Sequence, residues 1–236
     1  CSRTKRTTRR PVAKRRHSGG LDWLQSPSGP LCFSGRAGEA RAANVVYGGM
    51  TVYVSMLRAV NVGGTSRIKM DALRAVYEFI GLKDVRTLLQ SGNVVFRSGI
   101  TDREQLVKRI TQELARRLEL DVGVILRTLA EIASIVERGP VLSPRADKAK
   151  LLVMFLSAVP EGAAQAALVK GHKGPEMLEM RGPEIYLYYP DGVGRSKLTG
   201  AVIENKLNVS GTARNWNTLQ KLLETGRALE SQDAKR

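Results

Sequence analysis

The sequence is organised around TVYVSMLRAVNVGG, residues 51–64. Residues 52–57 are apolar at every position but one and rich in residues that favour β-structure, which predicts a central strand buried on both faces. Gly63 and Gly64 then allow the backbone to turn. The chain that follows repeats this plan, in which an apolar strand leads into a polar or glycine-bearing loop and an amphipathic helix.

Positive charge is concentrated before this strand. The formal net charge of the chain is +16. Residues 1–49 contain ten Lys and Arg and two acidic residues, and their net charge of +8 is half of that total. These residues show no hydrophobic period and cannot bury enough apolar area to offset the entropy of ordering, so we expect a disordered basic extension over 1–49. The basic run from Lys5 to Arg16 is compatible with two functions, an arm that binds nucleic acid or a targeting segment. Because the chain begins with Cys and Met50 immediately precedes the strand, we expect the natural start at Met50.

Composition disfavours several functional classes. The longest strongly apolar run, residues 151–156, is too short to span a bilayer, and no secretory signal is recognisable. Cys1 and Cys32 both precede residue 50, so the part predicted to fold has no disulfide or thiolate metal site, which fits a reducing cytoplasm. His172 is the only histidine of that part, so no catalytic triad or metal-ligand set is visible. We expect a cytoplasmic protein without membrane association, metal or other cofactor; the sequence leaves catalysis and oligomeric state open.

Periodicity and turn residues predict two units of the order β-α-β-β-α-β. The first spans residues 50–138, and the second spans 150–230 after a linker over 139–149 that carries prolines and charges. This order is that of a split βαβ, or ferredoxin-like, sandwich. The fold is therefore predicted to be α+β, with two tandem ferredoxin-like (βαββαβ) α/β-plait units, antiparallel sheets and a C-terminal helix.

Capping residues predict where several helices begin. Thr101–Glu104 and Thr128–Glu131 each have the spacing of a capping box, in which the first and last residues bond reciprocally to the backbone. Ser196 is predicted to cap a helix that ends near Leu207.

Three stretches resemble a known family. They are LRAVNVGG at 57–64, MDALR at 70–74 and VRTLLQSGNVVF at 85–96, with shorter matches at 126–128, 194–198 and 212–218. Over residues 50–226 the chain is similar to the bacterial family catalogued as domain of unknown function 1697. Ala59 departs from the pattern, since family members typically have Gly there. The resemblance implies a duplicated ferredoxin-like fold and no established activity.

A first candidate site follows from the topology of the first unit. Its first and second strands run parallel, so the loop after the first strand and the hairpin after the second lie at the same end of the sheet. Basic side chains, amides and the free N–H groups of a helix start converge there, which suits an anionic ligand. The members are Arg58, Asn61, Gly63, Gly64, Arg67, Lys69, Gln90, Ser91, Gly92 and Asn93. The alternative is that the glycines satisfy turn geometry and the amides cap backbone groups.

A second candidate cluster lies at the opposite end of the second unit's sheet. Glycines, a helix start and three cations suit a phosphate or carboxylate there. The members are Gly194, Arg195, Ser196, Lys197, Arg214, Asn215, Trp216 and Asn217. Trp216 is predicted either to stack on a planar ligand or to pack in the core, and Ser196 and Asn215 are either ligands or N-caps. If these ends of the two units face each other, both clusters share one cleft.

Other polar residues of the second unit are interpreted as facing solvent. His172 lies in a loop flanked by glycines. Glu176, Glu179 and Glu184 lie on or near a hairpin at strand spacing, which favours a solvated face over a glycosidase pair.

The favoured function is binding of a small anionic ligand, phosphate- or carboxylate-bearing, with nucleotides among the options. A nucleic-acid-binding module is one alternative: Tyr186 and Tyr188 lie on one strand and offer a face for stacking, but no aromatic RNP-type motif is present. A protein-interaction module without catalysis is the other.

Overall fold

The computed structural model describes residues 49–58, 68–88, 91–140 and 146–233. All of them lie in the compact unit formed by residues 44–236. The predicted N-terminal extension falls outside the described residues except for Gly49.

The first repeat has one four-stranded antiparallel sheet. Its strands β1–β4 are Thr51–Leu57, Lys83–Leu88, Asn93–Ser98 and Val124–Thr128, and its helices α1–α3 are Met70–Phe79, Arg103–Leu118 and Leu129–Arg138. The strand order is β2-β3-β1-β4, so β1 lies in the interior of the sheet as its apolar sequence predicts.

The second repeat has the same plan. Its strands β5–β8 are Leu151–Leu156, Met177–Arg181, Glu184–Tyr188 and Gly211–Asn215, and its helices α4–α6 are Gly162–Gly171, Gly200–Leu207 and Trp216–Asp233. Short 3-10 turns lie at Lys148–Lys150 and Val193–Arg195. The strand order β6-β7-β5-β8 matches that of the first repeat, which confirms the predicted α+β fold of two ferredoxin-like units and a C-terminal helix. No described helix is both long and apolar enough to cross a bilayer.

Helices cover both faces of both sheets. One face of the first sheet packs on α1 and α2 around Phe96, and the corresponding face of the second packs on α4 and α5 around Ile203. The remaining faces, with α3 and α6, form a third core that contains Val54, Phe155 and Trp216, called the shared core below. An antiparallel sheet can leave one face in water, and here α3 and α6 fill that face.

The alternation along β1 explains its burial on both sides. Val54 points into the shared core, whereas its neighbour Tyr53 points to α1 and α2. The polar exception, Ser55, is fully buried, and its hydroxyl lies 2.7 Å from the Tyr77 hydroxyl. Burial raises the pKa of the Tyr77 phenol, so the pair stays neutral.

Two buried arginines at equivalent strand positions join the repeats. Arg127 in β4 donates through Nη2 to the carbonyl of Leu156, the last residue of β5, at 3.0 Å. Arg214 in β8 donates through Nη2 to the carbonyl of Leu57, the last residue of β1, at 2.8 Å. The contacts are exchanged reciprocally, as in an isologous interface.

The Nε atoms of the same arginines also contact residues at equivalent strand positions, but the acceptor is charged for Arg127 and neutral for Arg214. Nε of Arg127 donates to Oε1 of Glu184, the first residue of β7, at 2.8 Å. Nε of Arg214 donates to Oδ1 of Asn93, the first residue of β3. Arg127 therefore has a buried counter-charge, whereas Arg214 has a neutral acceptor, and burial lowers the pKa of Arg214 to about 10. The interpretation of Glu184 as a solvated residue is wrong, because its carboxylate is buried as the partner of Arg127.

One of the two predicted capping boxes is confirmed. Thr128 accepts a hydrogen bond from the Glu131 amide at 3.2 Å, and the Glu131 carboxylate accepts one from the Thr128 amide at 2.7 Å. The other box is wrong by one residue: Asp102 caps α2 and accepts from the Gln105 amide at 3.1 Å. Adjacent Thr and Asp are both good caps, so the pattern does not separate them.

The predicted cap at Ser196 is also wrong. A 3-10 turn precedes Ser196, and α5 begins only at Gly200, with Thr199 as its N-cap. Ser196 therefore lies in the connection between β7 and α5.

Removing one partner of the buried pair is expected to destabilise the protein strongly. Glu184→Ala leaves the Arg127 guanidinium buried without its counter-charge, which typically costs about 3–5 kcal/mol of unfolding free energy. The double variant Arg127→Met with Glu184→Leu removes both charges and is expected to lose less than Glu184→Ala alone. Urea unfolding measures both, with the exposed Glu230→Ala on α6 as control, expected within about 0.5 kcal/mol of the wild type. A loss from Glu184→Ala no larger than the control's would contradict the role of the pair.

Candidate functional site

The first predicted cluster is only partly described. Five of its members lie outside the described residues, namely Asn61, Gly63, Gly64, Arg67 and Gln90. Within the described part, the Leu57 amide donates to the Gly92 carbonyl at 2.9 Å, so the end of β1 does meet the β2–β3 hairpin.

Asn93 is engaged entirely by the protein. It is fully buried, and its Nδ2 donates to the Leu88 carbonyl at 3.2 Å and to Ser91 Oγ at 2.7 Å, while Oδ1 accepts from Arg214. An amide can donate on one side and accept on the other, which a carboxylate or an ammonium cannot do. Asn93 and Ser91 thus hold the hairpin against the second repeat.

Arg58 is also paired across the repeats. Its Nε and Nη2 bond to the two carboxylate oxygens of Glu204 in α5, at 2.8 and 2.9 Å. These hydrogen bonds lower the pKa of the Glu204 carboxyl, and the Gly211 amide adds a further one. Lys69 is exposed immediately before α1, whose N-terminus has no side-chain cap.

Arg214 has no donor left for a ligand. Its five N–H groups are directed at five protein oxygens: Asn93 Oδ1, Thr212 Oγ1 and the carbonyls of Ala213, Leu57 and Ser91. Every acceptor is neutral, so the guanidinium is satisfied by hydrogen bonds rather than by an opposite charge.

The other late residues of the second cluster have structural contacts. Trp216 is buried in the shared core, as its core-packing alternative predicts. Asn215 donates to the Ala149 carbonyl at 2.6 Å and accepts from the Asn217 amide at 3.0 Å, the geometry of a cap at the start of α6. Asn217 is exposed.

A pocket of about 730 Å³ lies at one end of the second sheet, and it is called the loop pocket below. Its two walls are the α4–β6 connection, residues 172–176, and the β7–α5 connection, residues 189–199. The walls face each other because β6 and β7 pair with Met177 opposite Tyr188. Val202 and Lys206 of α5 complete the lining.

The loop pocket depends on connections that are long only in the second repeat. The corresponding connections of the first repeat are residues 80–82, between α1 and β2, and 99–102, between β3 and α2. In the second repeat they are 172–176 and 189–199. The duplicated plan thus supplies the frame, and the longer connections supply the walls.

Positive charge prevails in this lining. Four cationic side chains line the loop pocket, namely Lys173, Arg195, Lys197 and Lys206, and none forms an ion pair with another described residue. Two carboxylates, Glu176 and Asp191, also line it. Counted from the Lys, Arg, Asp and Glu side chains alone, the described lining carries an excess of two positive charges. Of the second predicted cluster, the lining contains Arg195, Ser196 and Lys197.

Glu176 joins the two walls. Its Oε1 accepts a short hydrogen bond from the Ser196 hydroxyl, which lowers the pKa of the Glu176 carboxyl. Nε2 of His172 lies 3.3 Å from Glu176 Oε2 and 3.1 Å from the Glu176 carbonyl oxygen. Ser196 Oγ in turn accepts from the Leu198 amide at 2.9 Å.

The interpretation of Glu176 and His172 as solvated is therefore wrong. Their side chains are only 6% and 16% exposed. Glu179, the remaining glutamate of that group, pairs with Arg181 within the hairpin. No three His, Cys, Asp or Glu side chains of the described residues are grouped closely enough to hold a metal ion.

Five charged or histidine side chains of the lining lie outside the predicted clusters. They are His172, Lys173, Glu176, Asp191 and Lys206. Strand topology could have indicated these residues, because the segment before the first strand of a hairpin lies next to the segment after its second strand. This rule places GHKGPE, residues 171–176, opposite DGVGRSK, residues 191–197.

The tyrosine face proposed for base stacking is not open. Tyr186 is buried in the shared core, and its hydroxyl donates to the Ile135 carbonyl of α3 at 3.0 Å. Nucleic acid would therefore have to bind elsewhere than on this sheet face.

Comparison with known proteins identifies a family and a fold. The family model described as "Protein of unknown function (DUF1697)" matches residues 50–186. Among solved structures, the conserved bacterial protein SP0830 from Streptococcus pneumoniae is similar, with 24% identity, coverage of 75% of this chain and 99% of that chain, and a TM-score of 0.60. At this identity the likeness concerns the fold. No curated protein matches the chain.

Gly174 is expected to be required for the bridge between the walls. A Cβ at this position would overlap Glu176 Oε2 and lie 2.8 Å from His172 Cε1, so Gly174→Ala forces both side chains to shift and is expected to disturb the hydrogen bond between Glu176 and Ser196. The unfolding free energy of Gly174→Ala is expected to be lower than that of the wild type, measured by urea unfolding. Gly194→Ala, in the 3-10 turn Val193–Arg195 of the β7–α5 connection, is the matched control, because nothing lies within 4 Å of its added Cβ. Equal stability of the two variants would contradict the bridge.

The Arg58–Glu204 pair predicts a pH dependence of stability. Because pairing holds the pKa of Glu204 below its ordinary value of 4.5 in the folded state, its contribution is complete above that pH and is lost as the pH falls through the folded pKa. Glu204→Gln and Arg58→Met should each flatten the acid limb of unfolding free energy against pH. Urea unfolding at a series of pH values measures this, and an unchanged limb in both variants would rule the linkage out.

Proposed function

The chain belongs to the DUF1697 family of proteins of unknown function, and from this premise we propose that it binds a small anionic ligand, bearing phosphate or carboxylate, in the loop pocket. The observation that carries the proposal is the set of four cations in its lining that have no ion pair with a described residue.

These cations differ from the arginines at the junction of the repeats. Arg58 and Arg127 are paired with carboxylates, and Arg214 is saturated by protein oxygens. Cations left without partners in a concave site raise the local potential and attract anions. Arg195 and Lys197 are exposed in the β7–α5 connection, so a ligand can reach them from solvent.

The proposal places this binding in the cytoplasm. The absence of cysteine from residues 50–236 supports that compartment, since disulfides are typical of oxidising ones. Nucleic acid is the less supported ligand class, because helices cover the sheet faces that a ferredoxin-like domain would offer to bases.

A thermal-shift titration of the full chain tests the proposal. The panel holds inorganic phosphate, pyrophosphate, citrate, nucleotides, sugar phosphates and short RNA and DNA. A ligand that binds only the folded state stabilises it by about 2.7 kcal/mol at a hundred times its Kd, so we expect a raised Tm with at least one small anion. The shift should be lost in the double variant Arg195→Ala, Lys197→Ala.

The matched control removes the same two charges elsewhere. Lys108 and Arg109 are adjacent, exposed residues of α2 in the first repeat, and Lys108→Ala with Arg109→Ala should leave the ligand-induced shift unchanged. An equal loss in both double variants would show a general charge effect and contradict a site in the loop pocket. A shift with oligonucleotides alone would transfer the function to nucleic-acid binding.

A further inference from the structure

Resting on the proposed function, we infer that the ligand of the loop pocket is a hydroxylated phosphomonoester of the sugar-phosphate class, and neither a simple anion nor a nucleotide. Charge, volume and the chemistry of the lining each restrict the ligand in a different way.

The charge of the lining fits a dianion. Four cations face two carboxylates, and Glu176 already accepts the Ser196 hydroxyl and lies beside His172. The remaining excess of two positive charges matches a phosphomonoester, whose charge near pH 7 is about −1.5 to −2. A single carboxylate would leave part of the excess unbalanced.

The volume of the loop pocket exceeds what one phosphate group fills. At about 730 Å³ it lies within the range of roughly 300–1,000 Å³ typical of sites for drug-sized ligands. A ligand that occupies it must therefore carry a body beyond its phosphate. The apolar residues that line the loop pocket beside that body are Pro175, Pro190, Leu198, Val202 and Tyr189.

Asp191 supplies an acceptor for hydroxyl groups. Its carboxylate lines the loop pocket from the exposed β7–α5 connection and has no ion pair with a described residue. An ionised carboxylate only accepts hydrogen bonds, so among neutral ligand groups it favours those that donate, such as hydroxyls. In a site that binds a phosphate, the Asp191 carboxylate would repel the phosphate itself, so we assign it to contacts with the hydroxylated remainder of the ligand.

The described lining offers no open aromatic face on which a nucleobase could stack. Tyr189 is 3% exposed, and its hydroxyl is directed to the Leu198 carbonyl at 2.9 Å. The His172 ring is held beside Glu176. Trp216 and Tyr186, the aromatic residues that the sequence offered for stacking, both lie in the shared core. Base binding commonly relies on an open aromatic face, so a non-aromatic body fits this lining better.

Isothermal titration calorimetry of the full chain tests the inference with four probes: ribose 5-phosphate, inorganic phosphate, ribose and AMP. We expect ribose 5-phosphate to bind about tenfold more tightly than inorganic phosphate, because a charge-assisted hydrogen bond to a hydroxyl adds to the same phosphate contacts. Ribose alone should not bind, and AMP should bind no more tightly than ribose 5-phosphate.

Asp191→Ala separates recognition of the body from recognition of the phosphate. The variant should lose the preference for ribose 5-phosphate while its affinity for inorganic phosphate stays equal or rises, since a negative charge has been removed. A variant that merely unfolded the site would lose both. The control Asp121→Ala removes an exposed carboxylate before β4 and should bind all four probes as the wild type does.

The outcomes distinguish the inference from the function on which it rests. Binding of inorganic phosphate as tight as that of ribose 5-phosphate, abolished by Arg195→Ala with Lys197→Ala, would keep the anion site and overturn the sugar-phosphate class. Tighter binding of AMP would also overturn the class and favour a nucleotide. If no anion of either panel bound, both the function and the class would fail.

Discussion

The architecture depends on two guanidinium groups that are buried where the repeats meet. Arg127 and Arg214 occupy the same place in β4 and β8, and each reaches the last carbonyl of the other repeat's first strand. A buried charge is tolerated only when its hydrogen bonds are satisfied, so each arginine fixes the other repeat at a defined distance and register. In this arrangement of the two repeats, α3 and α6 cover the sheet faces that form the shared core.

Under the proposed function, this junction also restricts where the ligand binds. The polar groups at the C-terminal ends of β1 and β5 form hydrogen bonds with the two arginines, with Asn93 or within the Arg58–Glu204 pair. Since β7 and β8 both run antiparallel to β5, the C-terminal ends of β7 and β8 lie at the end of the second sheet opposite to the C-terminal end of β5. That end takes no part in the contacts of the two arginines, and there the longer connections of the second repeat form the loop pocket.

The fold could be predicted further than the site, for a physical reason. Alternation along β1 and the order of strands and helices are local signals, and both appear in the sequence. Asn93 and Arg214 were predicted as ligands because an amide or a guanidinium beside glycines looks the same in sequence whether its donors are free or occupied. Asn93 and Arg214 bond to each other, and Arg214 also donates to Leu57 and Ser91; these three partners of Arg214 lie more than a hundred residues away in the other repeat, so only the packing of the repeats reveals them. Glu176 was missed for the same kind of reason, because its partner Ser196 lies in the opposite wall.

The contrast between the two groups of cations is the basis of the proposed function. At the junction, Arg58 and Arg127 are paired with carboxylates and Arg214 donates to a full set of protein oxygens, as expected of groups kept for stability. In the loop pocket, four cations lie around one cavity, and the two carboxylates of the lining are too few to balance them. Neighbouring like charges repel each other and lower the stability of a folded chain. Under the proposed function, an anion bound in the loop pocket offsets that repulsion, so the same excess of positive charge favours binding of the anion.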